Sequence, residues 1–207
     1  MNYLHQFSHF YLSLRWYNLK LVLSIKDSFG KSMKTYLEIQ VPLRNDAAWF
    51  KNLRSICQNI NVRWQMGYYH ITMAFIDETP KGVDLCPLLE KYLRTFTAPI
   101  LTFDKLDAFT SMSGMHIIYL TATEVPQSFM SLVQSIRTDL EFAGCVMNSD
   151  FRLHVTLGRV KDPSIQLLTL QNLLGSVNLH AFSQTLIDVD YRVFRGGTIY
   201  ETHLRRD

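Results

Sequence analysis

The sequence predicts an α+β fold in which helices cover antiparallel sheets. Segments with alternating apolar residues, typical of half-buried strands, lie between segments whose apolar residues recur every three or four positions, typical of helices. Short turns at residues 111–114 and 196–197 join neighbouring strands, which favours hairpins over βαβ crossovers. Two strands carry the same His-x-Thr pattern, one in each half of the chain, which indicates a weak internal duplication.

The first predicted strand covers residues 35–41 and is ended by Pro42. Asn45 and Asp46 are expected to cap a helix whose apolar positions continue to about Ile60. The other predicted elements are strands over residues 62–65, 69–76, 100–109, 115–122 and 152–160, helices over 85–95, 128–142 and 165–174, and a terminal hairpin of 182–194 with 199–204.

Composition limits the classes of function. With 207 residues, of which 47% are hydrophobic, the chain can bury a full core and is not a disordered protein. A net charge of +3 suits an anionic ligand but is too small for a protein that coats DNA. Three widely spaced cysteines without a C-x-x-C motif argue against a disulfide framework and a thiolate zinc site, so we expect a reduced, cytoplasmic protein.

The first 33 residues differ from the rest of the chain. Their apolar stretch is interrupted by Arg15 and Lys20, so no uncharged run reaches the ~20 residues of a membrane span. No small-residue cleavage site follows a clean apolar core, which argues against a secretory signal. We therefore interpret residues 1–33 as an N-terminal extension, which a start codon assigned too early would explain, and residues 34–207 as the functional domain.

The two His-x-Thr patterns are the candidate site. Residues two apart on a strand point to the same face, so His70 and Thr72 project together, ~7 Å apart, as do His154 and Thr156. Two imidazoles can supply the base and the acid for attack at phosphorus, and two hydroxyls can donate hydrogen bonds to its oxygens. This chemistry requires no metal.

Chance alone gives about one His-x-Ser/Thr pattern in a chain of this composition, so either histidine could instead be structural. The context favours the pair, because both lie within apolar strands at corresponding positions. Five histidines lack a hydroxyl two residues later and are expected to be structural or at the surface: His5, His9, His116, His180 and His203.

The paired motifs resemble the signature of the 2H phosphoesterase superfamily, in which two His-x-Thr motifs are separated by roughly eighty residues. The flanks are similar to its 2′-5′ RNA ligase and RNA 2′,3′-cyclic phosphodiesterase branch. The similar segments are residues 36–43, 62–64 with 69–76, 106–109, 151–160 and 196–201.

The resemblance implies a bilobal fold with two antiparallel sheets facing a central cleft and helices outside, and metal-independent hydrolysis of RNA 2′,3′-cyclic phosphates to 2′-phosphates without a cofactor. It implies His70 as the acid and His154 as the base, or the reverse, with Thr72 and Thr156 binding the phosphate. We expect a monomer whose partner is an RNA or nucleotide with a cyclic phosphate and which does not bind a membrane.

Arg159 lies where this branch often has an arginine that faces the phosphate. Strand parity points it away from His154, so that role requires a bend, which Gly158 would permit; a solvated surface arginine is the alternative. Tyr68, Tyr69 and Phe75 are candidates for stacking on a base, or core residues. Two other functions stay open, namely an esterase for small cyclic or 2′-5′-linked nucleotides and a nucleotide- or RNA-binding module without turnover.

Overall fold

A computed structural model describes residues 34–147, 150–162, 164–195 and 198–205. The extension expected over residues 1–33 lies outside this range, as do Gly196 and Gly197 of the predicted terminal turn. The helices are α1 (Ala48–Ile56), α2 (Cys86–Leu93), α3 (Gln127–Phe142) and α4 (Leu167–Gly175). The strands are β1 (Lys34–Gln40), β2 (Val62–Trp64), β3 (His70–Glu78), β4 (Ile100–Phe103), β5 (Lys105–Thr110), β6 (His116–Thr121), β7 (Val146–Met147), β8 (Val155–Val160), β9 (Phe182–Thr185), β10 (Val189–Arg195) and β11 (Thr198–Arg205).

Seven strands form one antiparallel path in the order β11-β10-β1-β3-β8-β6-β5, while β2 pairs with β8 and β7 pairs with β3. Strands β4 and β9 form a separate antiparallel pair. The path narrows between β3 and β8 to one residue pair, Ile71 opposite Val155. We call β11, β10, β1 and β3 with β7 the first lobe, and β8, β6 and β5 with β2 the second lobe. The α+β class with antiparallel sheets is confirmed.

The helices pack against the two lobes in pairs. Helix α2 contacts β11 and α3 contacts β3, whereas α4 contacts β5 and α1 contacts α4. Their apolar faces enter one core with strand residues such as Leu37, Met73 and Leu157, all fully buried. Each lobe takes strands from distant parts of the chain, so the lobes are interleaved. Among the described helices, none has both the length and the apolar composition to cross a membrane.

The predicted start and end of the first helix are wrong. Helix α1 begins after Ala47 without a side-chain cap, and it ends at Ile56 rather than near residue 60. Asn45 is engaged elsewhere, because its side chain accepts a hydrogen bond from the Tyr69 hydroxyl. Asp46 pairs instead with the guanidinium of Arg44.

Two long predicted strands are each divided in the structure. The strand predicted over residues 100–109 breaks at Asp104, whose carboxylate accepts a hydrogen bond from the Thr123 backbone amide. The strand predicted over residues 182–194 is also divided, into β9 and β10. In both cases the first part joins the β4–β9 pair and the second part joins the large sheet, so the chain must change sheets between them.

Candidate active site

The joint between β3 and β8 brings the two His-x-Thr motifs together. Ile71 from the first motif pairs there with Val155 from the second, and both side chains are fully buried. Neighbours on a strand point to opposite faces, so the histidine and threonine of each motif project from the other side of the joint. The sheet therefore gathers the four motif side chains at one place.

Antiparallel pairing arranges these four side chains in a two-fold pattern. Extending the register of the Ile71–Val155 pair by one residue on each side brings His70 toward Thr156 and Thr72 toward His154, and all four are partly exposed. The charge of one imidazole contributes to lowering the pKa of the other, as expected for neighbouring cations. Each imidazole is thus beside a hydroxyl from the opposite lobe.

His154 is held from several sides just before β8. Its Nδ1 donates a hydrogen bond to the backbone carbonyl of Arg152 at 2.9 Å, which leaves Nε2 as the unprotonated nitrogen of the neutral ring. Phe109 and Tyr119 meet the ring edge-on, with centroids 5.5 Å and 6.0 Å away. Burial lowers the pKa of His154 below its usual value, so the ring is neutral at pH 7.

His70 has a different neighbour. Its Nε2 lies 3.1 Å from Oε1 of Glu38, whose side chain is only 5% exposed. Its Nδ1 is buried and has no hydrogen-bond partner among the described residues. The Tyr68 ring lies against the imidazole, with 5.0 Å between centroids. Burial, together with the positive charges of Arg192, His154 and Arg159, lowers the pKa of His70 to about 4.

Glu38 projects from β1 on the same face as the motif side chains, because it pairs with Thr72 across the ladder. Its Oε2 lies 3.2 Å from the Tyr68 hydroxyl and 3.5 Å from a guanidinium nitrogen of Arg192. Burial raises the pKa of Glu38 to about 7, although Arg192 and the Tyr68 hydrogen bond act in the opposite direction. A buried carboxyl group therefore borders one of the two imidazoles.

An ionic cluster lies beside Glu38 on β10 and β11. Asp190 is fully buried and accepts hydrogen bonds from Gln40 and from Nδ1 of His203, both at 2.5 Å. Glu201 pairs with Arg192 at 2.8 Å and lies 3.3 Å from His203. Within the described residues, Asp190, Glu201 and His203 form the one group whose ligand atoms are close enough to hold a metal ion. Because the carboxylate oxygens already pair with protein donors, hydrogen bonds and ion pairs explain why these three side chains lie so close together.

Arg159 is on the site face because β8 is irregular. The register with β6 shifts between Thr156 and Gly158, which returns Arg159 to the face of Thr156. A Cβ at Gly158 would lie 2.7 Å from Cγ1 of Val62 and 3.0 Å from Cε3 of Trp64, so a larger residue would push β2 away. The charge of Arg159 contributes to lowering the pKa of both motif histidines. The bend needed to turn Arg159 toward the site is present.

A cleft of about 520 Å³ opens at the end of the joint where Thr72 and His154 lie. Tyr36 and Phe75 from the first lobe line it, with ring centroids 4.8 Å apart, and Phe109 lines it from the second lobe. Apolar rings beside the His154 imidazole and the Thr72 hydroxyl provide a place for a flat aromatic group next to a phosphate.

The three aromatic residues predicted as candidates for base stacking lie in different environments. Phe75 lines the cleft, Tyr68 packs against His70, and Tyr69 is a core residue that is 3% exposed. Sequence reasoning missed Glu38 beside His70. One signal was available, since Glu38 and Gln40 alternate with the apolar residues of β1 and so place two polar groups on one strand face.

Comparisons with known proteins identify the family of the chain and solved structures with a similar fold. Residues 45–193 match the family model described as the 2′-5′ RNA ligase superfamily. No curated protein sequence matches the chain significantly. The fold is similar to that of Kluyveromyces marxianus Usb1, with a TM-score of 0.56, 11% identity, and coverage of 81% of this chain and 96% of that chain. It is also similar to Escherichia coli LigT complexed with 3′-AMP, with a TM-score of 0.51, 18% identity, and coverage of 84% and 97%.

Proposed function

Because the chain belongs to the 2′-5′ RNA ligase superfamily of 2H phosphoesterases, we propose that it hydrolyses RNA ends that carry a 2′,3′-cyclic phosphate and leaves a 2′-phosphate. The observation that carries this proposal is the joint at Ile71 and Val155, which sets two imidazoles and two hydroxyls on one side of the sheet. A site that only binds nucleotides has no need of two proton-transfer groups.

In the proposed reaction His154 is the base. It takes a proton from water as the water oxygen forms a bond to phosphorus. Two features support this role. The Arg152 carbonyl holds the proton of the neutral ring on Nδ1, which leaves the Nε2 lone pair available. Burial lowers the pKa of His154, so the ring is in its basic form at neutral pH.

His70 is the acid in this scheme. It protonates the ribose 3′ oxygen as the bond from that oxygen to phosphorus breaks. Its place across the joint from the base suits in-line displacement, in which the attacking and departing oxygens lie on opposite sides of phosphorus. The chemistry alone also allows the reverse assignment.

The remaining residues stabilise the phosphate. Thr72 and Thr156 donate hydrogen bonds to its nonbridging oxygens, one from each lobe. Arg159, turned to this face by the irregular register of β8, offsets the negative charge that develops during the reaction. Both proton transfers are supplied by imidazoles, so the proposed reaction uses no metal and no cofactor.

A second candidate is hydrolysis of a small cyclic or 2′-5′-linked nucleotide by the same residues. The cleft of about 520 Å³ favours it, because this volume is within the usual range of small-molecule sites. Similar folds have been solved with nucleotides bound, namely Usb1 with uridine monophosphate and LigT with 3′-AMP.

The test compares three substrates with the wild-type protein in EDTA: an oligoribonucleotide with a 2′,3′-cyclic phosphate end, a 2′,3′-cyclic mononucleotide and a 2′-5′-linked dinucleotide. We expect the oligonucleotide to be hydrolysed fastest and its product to carry a 2′-phosphate, identified by ³¹P NMR. Faster turnover of either small substrate would favour the second candidate. Loss of activity in EDTA would contradict the metal-free mechanism, and no turnover of any substrate would favour a binding module.

A further inference from the structure

The two motif histidines are held by different chemical groups. His154 donates from Nδ1 to the Arg152 backbone carbonyl, which cannot gain or lose a proton. His70 instead faces a carboxyl group, with its Nε2 3.1 Å from Oε1 of Glu38. A carboxyl group at this distance can share a proton with the ring, so the two halves of the site are not chemically equivalent.

The contact between Glu38 and His70 is well shielded from water. The side chains are 5% and 25% exposed, respectively. The β1–β3 ladder sets Glu38 opposite Thr72, the next residue of the motif on the same face as His70. The Tyr68 hydroxyl, 3.2 Å from Oε2, anchors the other carboxyl oxygen and leaves Oε1 directed at the ring. Backbone pairing and a hydrogen bond thus fix the carboxyl group.

We propose that Glu38 is a positioning residue that shares one proton with His70, and that this shared proton is the one given to the departing ribose oxygen. The inference rests on the proposed function for the identity of the reaction. The shared proton itself is a property of the free protein and can be measured without a substrate.

The protonation states support this assignment. Burial raises the pKa of Glu38 to about 7 and lowers the pKa of His70 to about 4. Alone, a ring with so low a pKa would almost never be in its doubly protonated, cationic form at pH 7 and would be a poor acid. Between those two values the pair carries one proton, on the carboxyl group or on Nε2. Glu38 therefore extends the range in which a proton is available beside His70 up to about pH 7.

Charges of both signs surround the pair. Arg192 lies 3.5 Å from Oε2 of Glu38 and favours its ionised form, while Asp190 has the opposite effect. The groups that act on the pair are Tyr36 on β1, Tyr68 before β3, Asp190 and Arg192 on β10, and His154 and Arg159 from the second lobe. Behind them on β11, Glu201 pairs with Arg192 and His203 pairs with Asp190.

The reaction balances with this pair as the acid. A bond from the water oxygen to phosphorus forms, and the bond from phosphorus to the ribose oxygen breaks. His154 gains the proton lost by water, and Nε2 of His70 gives the shared proton to the ribose oxygen. After the reaction the Glu38–His70 pair lacks its shared proton, and His154 is an imidazolium. Proton exchange with solvent returns both to their starting states.

The first experiment is an NMR titration of the free wild-type protein, with ¹³C labels in the carboxyl group of Glu38 and the ring of His70. We expect both signals to respond in two steps, near pH 4 and near pH 7. In Glu38→Gln the ring should show only the lower step. Two independent single steps in the wild-type protein, each at the ordinary value for its residue, would overturn the proposal without any variant.

The second experiment measures kcat against pH for a 2′,3′-cyclic phosphate substrate. In the wild-type protein kcat should fall as pH rises through about 7, when the pair loses its proton. In Glu38→Gln the fall should begin near pH 4, so kcat should decrease by roughly 10²- to 10³-fold at pH 7 but only by about tenfold at pH 5, with KM almost unchanged. A role in folding alone would lower kcat equally at both values.

Two further variants control this comparison. Glu38→Asp keeps a carboxyl group and should retain the two-step titration with a reduced kcat. Glu201→Gln removes the carboxylate that pairs with Arg192, and its fall in kcat should stay near pH 7. An equal shift in Glu201→Gln, or a Glu38→Gln profile that keeps the wild-type shape, would overturn the proposal. A two-step titration in a protein that hydrolyses no cyclic phosphate would contradict the proposed function and leave the shared proton intact.

Discussion

Gly158 is the residue on which the approach of β2 to β8 depends, and Gly158→Ala should destabilise the protein. The added methyl group would lie 2.7 Å from Cγ1 of Val62 and 3.0 Å from Cε3 of Trp64. Neither neighbour can easily move, since Val62 is β-branched and the Trp64 ring packs edge-on against Phe50 with 5.8 Å between centroids. Overpacking of this kind costs ~2–3 kcal/mol. Alanine also lowers the conformational entropy of the unfolded chain relative to glycine, which offsets ~0.5–1 kcal/mol of that cost.

The net loss for Gly158→Ala is therefore about 1–2.5 kcal/mol, which lowers Tm by roughly 2–10 °C in a chain of this size. Differential scanning calorimetry measures this directly. Gly175→Ala is the matched control, because Gly175 ends α4 and a Cβ there would meet nothing within 4 Å. Its Tm should stay equal to or above that of the wild-type protein. If Gly158→Ala were as stable as this control, the packing argument for the bend at Arg159 would be refuted.

Three other perturbations follow from the charges around the site. Arg159→Ala should raise the pKa of both motif histidines in an NMR titration, because the guanidinium charge now lowers them; unchanged values would mean that Arg159 does not face the site. Asp190→Ala should lower the free energy of unfolding in urea by about 3–5 kcal/mol, because it removes a buried acceptor of several hydrogen bonds, whereas the exposed Asp46→Ala should have little effect. Burial raises the pKa of Glu38 to about 7 in the folded protein, so its contribution to stability is complete below pH 4.5 and is lost as pH rises to 7. Between pH 4.5 and pH 8, the free energy of unfolding of the wild-type protein, measured in urea titrations, should accordingly fall by about 3 kcal/mol more than that of Glu38→Gln. If the free energy of unfolding of both proteins changed equally with pH, the buried state of the carboxyl group would be contradicted.

The sequence predicted the strands of the site well because their patterns are local. Alternation around His70 and His154 is enough to assign the face of each motif residue. The single pair at Ile71 and Val155, which unites them, could not be predicted, because it depends on how two distant strands meet. Arg159 illustrates the same limit, since regular alternation turns it away from the site and only the register shift against β6 turns it back.

Features decided by tertiary contacts were the ones that sequence patterns missed. Asn45 has the chemistry of a helix cap, yet its side chain is bound to the hydroxyl of Tyr69 instead. The breaks near Asp104 arise because the chain changes sheets there, and a continuous apolar pattern does not record that change. Glu38 was overlooked for a similar reason, because its importance comes from its contact with His70 on a neighbouring strand.

The most direct test of the central claim is the rate at which variants of the two motif histidines hydrolyse an oligoribonucleotide with a 2′,3′-cyclic phosphate end in EDTA. His70→Ala and His154→Ala should each reduce kcat by roughly 10²- to 10⁴-fold, because each removes one of two proton transfers. His180→Ala, which alters an exposed histidine outside the site, should match the wild-type rate. Wild-type rates in either motif variant would contradict the assignment of these two imidazoles as the acid and the base.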